Sequence, residues 1–273
     1  MLPAVNFASR LHTRILEKNT RLCLGLDPRL ELYSSLAELE RHCLDVLEAC
    51  AELVACVKPQ VAFYETLGIA GWQLLERVCA AAKALGLPII LDAKRGDIAS
   101  TAQAYAQAWL TKQHAGNALT VSPYLGFDSL EPFLRAATNN NGAIFVLVRT
   151  SNHGSSDLQL LTTPQGTVAS VVATHLERLT GGAYGAVGAV IGATHPTELA
   201  MWRKAMPNVL LLLPGLGAQG ASAATLAPAF DENGLGAVAS ASRGIQYASG
   251  NNVVSARAAA LGLRDQLNTV LLK

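Results

Sequence analysis

The sequence predicts a single (β/α)8 barrel over residues 1–273, with one additional helix ahead of the first strand. Three observations predict it. Eight short, nearly continuous apolar runs recur along the chain. Each is followed by a longer segment of helical or Ala-rich pattern, the mark of a parallel sheet covered by helices. Polar and charged residues then gather where the apolar runs stop, at the ends where such barrels carry their chemistry. A doubly wound open sheet shares the alternation, because periodicity alone does not close a barrel.

Taken in order, Met1 to Arg21 mixes Asn6, Arg10, His12, Arg14 and Glu17 with apolar residues and reads as an amphipathic opening helix, not a signal peptide. The strand runs are Leu22–Leu26, Leu53–Val57, Pro88–Leu91 and Ala118–Val121, then Ala143–Val148, Ala186–Ile191, Val209–Leu213 and Ala237–Ala239. The helical segments between and after them are 36–52, 65–85, 98–114, 128–140, 166–180, 196–206, 220–229 and 252–272. No composition shift or Ser/Gly/Pro linker marks a second domain. The widest gap, from Val148 to Ala186, holds a polar stretch from Ser151 to Gly166, a candidate flap over an active site or else a plain solvated insertion.

Composition excludes several function classes. A net charge of +1, with no basic run, gives no electrostatic case for nucleic acid. No apolar stretch reaches the length of a membrane span. The five cysteines (Cys23, Cys43, Cys50, Cys56 and Cys79) are odd in number and lack a C-x-x-C pair, so they read as buried small residues in a reducing, cytoplasmic compartment. The six histidines are scattered singly, so neither a metal cluster nor a Ser/His/Asp set is expected.

The strand endings carry the functional signal. They include Asp27-Pro28, Lys58-Pro59-Gln60, Asp92-Ala93-Lys94, Arg149-Thr150-Ser151-Asn152 and Ser242-Arg243-Gly244. Alternate residues of a strand share a face, so Asp92 and Lys94 should point the same way as Ile90, and a buried carboxylate and ammonium are costly unless paired. Asp92-Ala93-Lys94-Arg95-Gly96-Asp97 by itself reads equally as a structural ion pair or an active site. Lys58 extends it into an alternating array of Lys58, Asp92, Lys94 and Asp97. Flanking carboxylates favour a protonated Lys94, which opposes a Schiff-base role and suits a cation that donates a proton. Gly215-Leu216-Gly217-Ala218-Gln219-Gly220 has the literal dinucleotide-binding spacing, but no second Rossmann half can follow and no acidic residue ends the next strand. What remains is a glycine-rich turn before a helix, beside Arg243, which fits a phosphate monoester.

With these motifs in place, the sequence closely resembles the orotidine 5′-phosphate decarboxylase family, in its longer bacterial branch, over nearly the whole chain. The resemblance rests on the D-x-K-x-x-D signature Asp92 to Asp97, together with Leu24-Gly25-Leu26-Asp27-Pro28, Val57-Lys58-Pro59-Gln60, Pro214 to Gly220 and Ser242-Arg243-Gly244. It implies decarboxylation of orotidine 5′-phosphate to uridine 5′-phosphate without metal or cofactor. It also implies that Lys94 protonates the C6 carbanion, Asp92 lies beside the substrate carboxylate, and Lys58 and Asp27 bind ribose hydroxyls. Pro214, Gln219 and Arg243 would hold the phosphate end, and Ser151 the pyrimidine. Asp97 and Thr101 would complete the partner's site across a homodimer interface. Two rivals stand beside this reading. One is a magnesium-dependent sugar-phosphate decarboxylase or synthase of the same barrel group, which would carry an acidic residue where Lys58 stands. The other is a barrel that binds a phosphorylated ligand without catalysis, which the charge array opposes.

Overall fold

The computed structural model describes residues 6–193, 196–217 and 222–271. Its main sheet has eight parallel strands: β1 (Leu22–Leu26), β2 (Cys56–Pro59), β3 (Ile90–Arg95), β4 (Ala118–Val121), β5 (Ala143–Arg149), β6 (Val187–Ile191), β7 (Leu210–Pro214) and β8 (Ala237–Ala241). Neighbours run β2-β1-β8-β7-β6-β5-β4-β3. The two end strands meet through parallel bridges between Val57 and Ile89 and between Gln60 and Asp92. The sheet therefore closes on itself, which decides for the barrel against an open sheet.

Strand alternation divides the interior from the outer layer. Leu24, Val57, Leu91, Leu119, Val146 and Leu211 pack outward among helical residues such as Leu47, Val78 and Trp202. Cys23, Cys56, Ile90, Phe145, Val190 and Val238 fill the inside. Each fully buried Leu or Phe stabilises the fold by about 1.5–3 kcal/mol. The outer ring is built from α2 (Leu36–Cys50), α3 (Gly68–Ala84), α4 (Ala99–Leu110), α5 (Glu131–Asn139), α6 (Val168–Leu179), α7 (Pro196–Ala205), α8 (Ala223–Leu226) and α9 (Val253–Leu271).

The additional N-terminal helix is α1 (Phe7–Lys18), shorter than the Met1–Arg21 expectation; residues 1–5 lie outside the described residues. The Asn6 side chain caps it, accepting from the Ser9 N–H at 2.9 Å, and Asn19 ends it in the left-handed conformation. Its Phe7, Ala8, Leu11 and Ile15 join the interior cluster, so α1 closes the end of the barrel opposite the strand termini that carry the charges. Arg14 fixes it there, donating from Nε to the Val54 carbonyl at 3.1 Å.

Several boundaries differ from expectation for identifiable reasons. The second strand begins at Cys56, not Leu53, because the Leu53 and Val54 carbonyls are taken by Thr20 Oγ1 and Arg14 Nε instead of a ladder. The third strand runs on to Arg95, since its polar side chains find partners. The expected helix over 220–229, whose residues 220–221 lie outside the described residues, is an α-helical turn at Ala223–Leu226, started by a Ser222–Thr225 capping box, that tightens into a 3-10 turn at Ala227–Ala229 around Pro228. The expected flap has structure of its own: a helical turn at Ser156–Gln159 and a hairpin pairing Thr162–Thr163 with Gly166–Thr167. Among the described residues, no helix is long and apolar enough to cross a membrane. All five cysteines are free and buried.

Gly188 shows how tightly the interior is filled. It lies opposite Phe145 in register, and a Cβ there would stand 2.4 Å from the Phe145 ring. Gly188→Ala is expected to lower stability by about 1–3 kcal/mol, read from the urea midpoint at unchanged slope.

Candidate active site

The inward-facing positions of β2 and β3 change character within one alternation. Cys56 and Ile90 are apolar and buried, and the next inward residues, Lys58 and Asp92, are charged. Lys58 Nζ lies 2.8 Å from Asp92 Oδ2, with both side chains under a tenth exposed. Gln60 Nε2 donates to the same oxygen at 3.0 Å. Lys94 Nζ reaches Asp92 Oδ1 at 2.6 Å, and Thr120 Oγ1 donates to that oxygen at 3.0 Å. Asp92 thus accepts four hydrogen bonds, filling its lone-pair sites. Thr120 does double duty, because its oxygen also accepts from the Lys94 N–H at 2.9 Å.

That second bond accounts for a local irregularity. Lys94 has φ of 48°, the left-handed region that costs a non-glycine residue about 1–2 kcal/mol. The β3–β4 register shifts between Leu91 and Arg95. Lys94 therefore does not continue the alternation of Ile90 and Asp92. It turns at a bulge, with its ammonium on Asp92 and its side chain 44% exposed to the cavity.

Burial disfavours ionised Asp92, yet the charges of Lys58 and Lys94 and their hydrogen bonds outweigh it and hold the carboxyl well below the usual carboxylate range. Burial likewise favours neutral Lys58, but Asp92 and Asp27 overcome it and raise the ammonium above the ordinary lysine value. Asp27 is different. Burial pushes its carboxyl up against the pull of Lys58, and its Oδ1 is buried with no partner among the described residues.

These residues line one cavity of about 490 Å³ at the open end of the barrel. Asp27, Lys58, Asp92, Lys94, Ser151, Pro214 and Arg243 all border it, so seven of the positions singled out in the sequence come together. Leu147, Val190 and Leu212 supply an apolar floor. Gly25 admits Ser242, since a Cβ on it would fall 1.9 Å from Ser242 Oγ. Gly215 and Gly217 adopt φ of 114° and 79°, the turn that a side chain resists. Arg243 is exposed at the cavity edge. Gln219 lies outside the described residues. Asp97 and Thr101 do not border the cavity: Asp97 caps the Ile98 N–H with its own Oδ1 at 2.8 Å, and Thr101 is exposed on α4.

Three other outcomes were not legible in the strand endings. Arg149 does not face the cavity; it is buried against Glu198 at 3.2 Å and bonds Ser155, anchoring the strand-five loop. Gln159 folds back from that loop and clasps Thr150, accepting from its N–H at 2.9 Å and donating to its Oγ1 at 2.7 Å, and so borders the cavity. Thr120 had a faint signal, a hydroxyl at an inward position of an otherwise apolar strand. Among the described residues, no group of three or more His, Cys, Asp or Glu is placed to hold a metal ion.

Known proteins share this architecture. The family model of the orotidine 5′-phosphate decarboxylase / HUMPS family matches residues 20–259. A protein of Deinococcus radiodurans named orotidine 5′-phosphate decarboxylase is 58% identical over 271 residues, covering 97% of this chain and 98% of that one. One of the same name from Rhodopirellula baltica is 46% identical over 269 residues, 89% of each. The solved structure of Leishmania donovani OMP decarboxylase superposes with a TM-score of 0.85 at 37% identity, covering 98% of this chain and 99% of that one. On a match of this extent, the chain belongs to the orotidine 5′-phosphate decarboxylase / HUMPS family.

Proposed function

We propose that the protein decarboxylates orotidine 5′-phosphate to uridine 5′-phosphate, the last step of de novo UMP synthesis, without a metal ion or organic cofactor. The observation that carries this reading is the Asp92 carboxylate held between Lys58 and Lys94 on the wall of a single cavity. In the reaction the bond from C6 to the carboxylate breaks, CO₂ leaves, and the electron pair stays on C6. The Lys94 ammonium, the more exposed of the two, gives C6 a proton and recovers one from water. Asp92 stands beside the departing carboxylate, fixed by Lys58. Asp27 and Lys58 take the ribose hydroxyls, Arg243 and Gln219 the phosphate with Pro214 beside them, and Ser151 the pyrimidine. A preorganised cationic environment supplies the stabilisation of developing negative charge.

The magnesium-dependent reading within the same family meets a physical obstacle. Asp92, the natural ligand, has its lone-pair sites filled, and Lys58 puts a positive charge where a cation would sit. The reading also includes a homodimer in which Asp97 and Thr101 complete the neighbouring site. Support comes from their position outside the cavity and from exposed apolar residues: Ile98, beside Asp97 in the chain, and Tyr124 and Leu125, in the loop after β4, the strand paired with β3. Five free, buried cysteines agree with a cytoplasmic setting.

Purified protein is expected to consume orotidine 5′-phosphate, followed by its absorbance, at the same rate with and without EDTA. Loss with EDTA and recovery with magnesium would favour the rival. Lys94→Ala is expected to lower kcat by at least about a thousandfold while uridine 5′-phosphate still binds, checked by single-turnover kinetics and a binding titration. Mixing inactive Asp97→Ala with inactive Lys94→Ala subunits is expected to regain turnover, because a hybrid dimer contains one intact site. No recovery, with exchange of subunits verified, would refute the shared site.

A further inference from the structure

The helical turn after β8 faces two directions. Its first residue, Arg243, borders the cavity, while Gln246 and the following Tyr247 reach the loop after β1. The Tyr247 hydroxyl donates to the Asp27 carbonyl at 2.7 Å and accepts from the Arg29 N–H at 2.9 Å. Gln246 Oε1 accepts from the Asp27 N–H at 2.8 Å. Both main-chain polar groups of Asp27 are therefore held by these two side chains, and Pro28 between the clamped residues has a fixed φ.

The clamp is itself immobilised. Gln246 is fully buried, its Nε2 donates to Cys43 Sγ at 3.4 Å, and its carbonyl accepts from His42 Nε2 at 2.8 Å. The His42 ring stacks on that of Tyr247, with centroids 6.1 Å apart and planes 11° from parallel. At the end of this chain stands a buried Asp27 Oδ1 with no described partner. A carboxylate oxygen desolvated and left open is costly to a fold and useful to a ligand.

We infer that Gln246 and Tyr247 are positioning residues that aim the Asp27 carboxylate at the substrate ribose and tie it, through one rigid turn, to Arg243 at the phosphate end. The inference rests on the reading of Asp27 as a ribose ligand. If it holds, the contribution of Tyr247 to kcat/KM passes chiefly through the Asp27 side chain.

A double-mutant cycle on kcat/KM for orotidine 5′-phosphate tests this. Asp27→Ala is expected to lower kcat/KM about 10- to 100-fold, the loss of hydrogen bonds to a charged group. Tyr247→Phe, which keeps the stacked ring, is expected to lower it about tenfold in the native background and less than about twofold in Asp27→Ala. An equal loss in both backgrounds, or no loss in the native one, would overturn the positioning role while leaving Asp27 as a ligand. Native kcat/KM in Asp27→Ala would overturn the ribose reading and the inference with it. Gln246→Leu, measured in the same two backgrounds, repeats the test at the Asp27 N–H should Tyr247→Phe fail to fold.

Discussion

A carboxylate at the seam of the barrel governs this structure. β2 and β3 are the two ends of the sheet, and they meet through isolated bridges in place of a continuous ladder. One of those bridges joins Gln60 to Asp92, the same residues whose side chains bond across it. Lys58 adds a buried ion pair at the same place. Removing one member of such a pair costs about 3–5 kcal/mol, because the other charge stays buried and alone. The groups assigned to chemistry thus also join the two edges that close the barrel.

Holding that carboxylate organises its neighbours. Thr120 orients on it and in turn captures the Lys94 N–H, so the left-handed backbone that swings Lys94 towards the cavity is stabilised from β4. Two ammonium groups share one carboxylate, and their difference in exposure separates their tasks. Lys58 is almost fully buried where it borders the cavity, whereas the Lys94 side chain extends into the open space. Folding has already oriented these dipoles and charges, so little reorganisation remains when charge develops in the reaction.

Much of this was legible in the sequence because it depends on period two. Asp27, Lys58 and Asp92 sit where inward positions leave the apolar core, and apolar runs bounded by such residues locate both strand and site. Lys94 broke the rule: its place depends on a bulge and on Thr120, 26 residues away. Arg149 also ends an apolar run, but the ending does not show that it turns to Glu198, 49 residues distant on α7. Gln159 could not be read from a polar loop, where any amide looks solvated until the chain folds back on Thr150. Gln246 and Tyr247 act on a segment more than 200 residues earlier, and no local pattern carries that.

The alternation along β3 also restrains how the barrel can assemble. Ile90 and Asp92 face inward and Leu91 faces the helices. A slip of one residue during strand pairing would reverse all three. Asp92 would be driven into the apolar layer under α3 and α4, away from Lys58, and Leu91 would take its place opposite the ammonium. Apolar residues on both faces would tolerate such a slip, since the sheet is greasy inside and out, but a charge whose partners lie at the inner face does not. The array thereby makes the misaligned barrel the costly one, and selects the native pairing before any substrate is met.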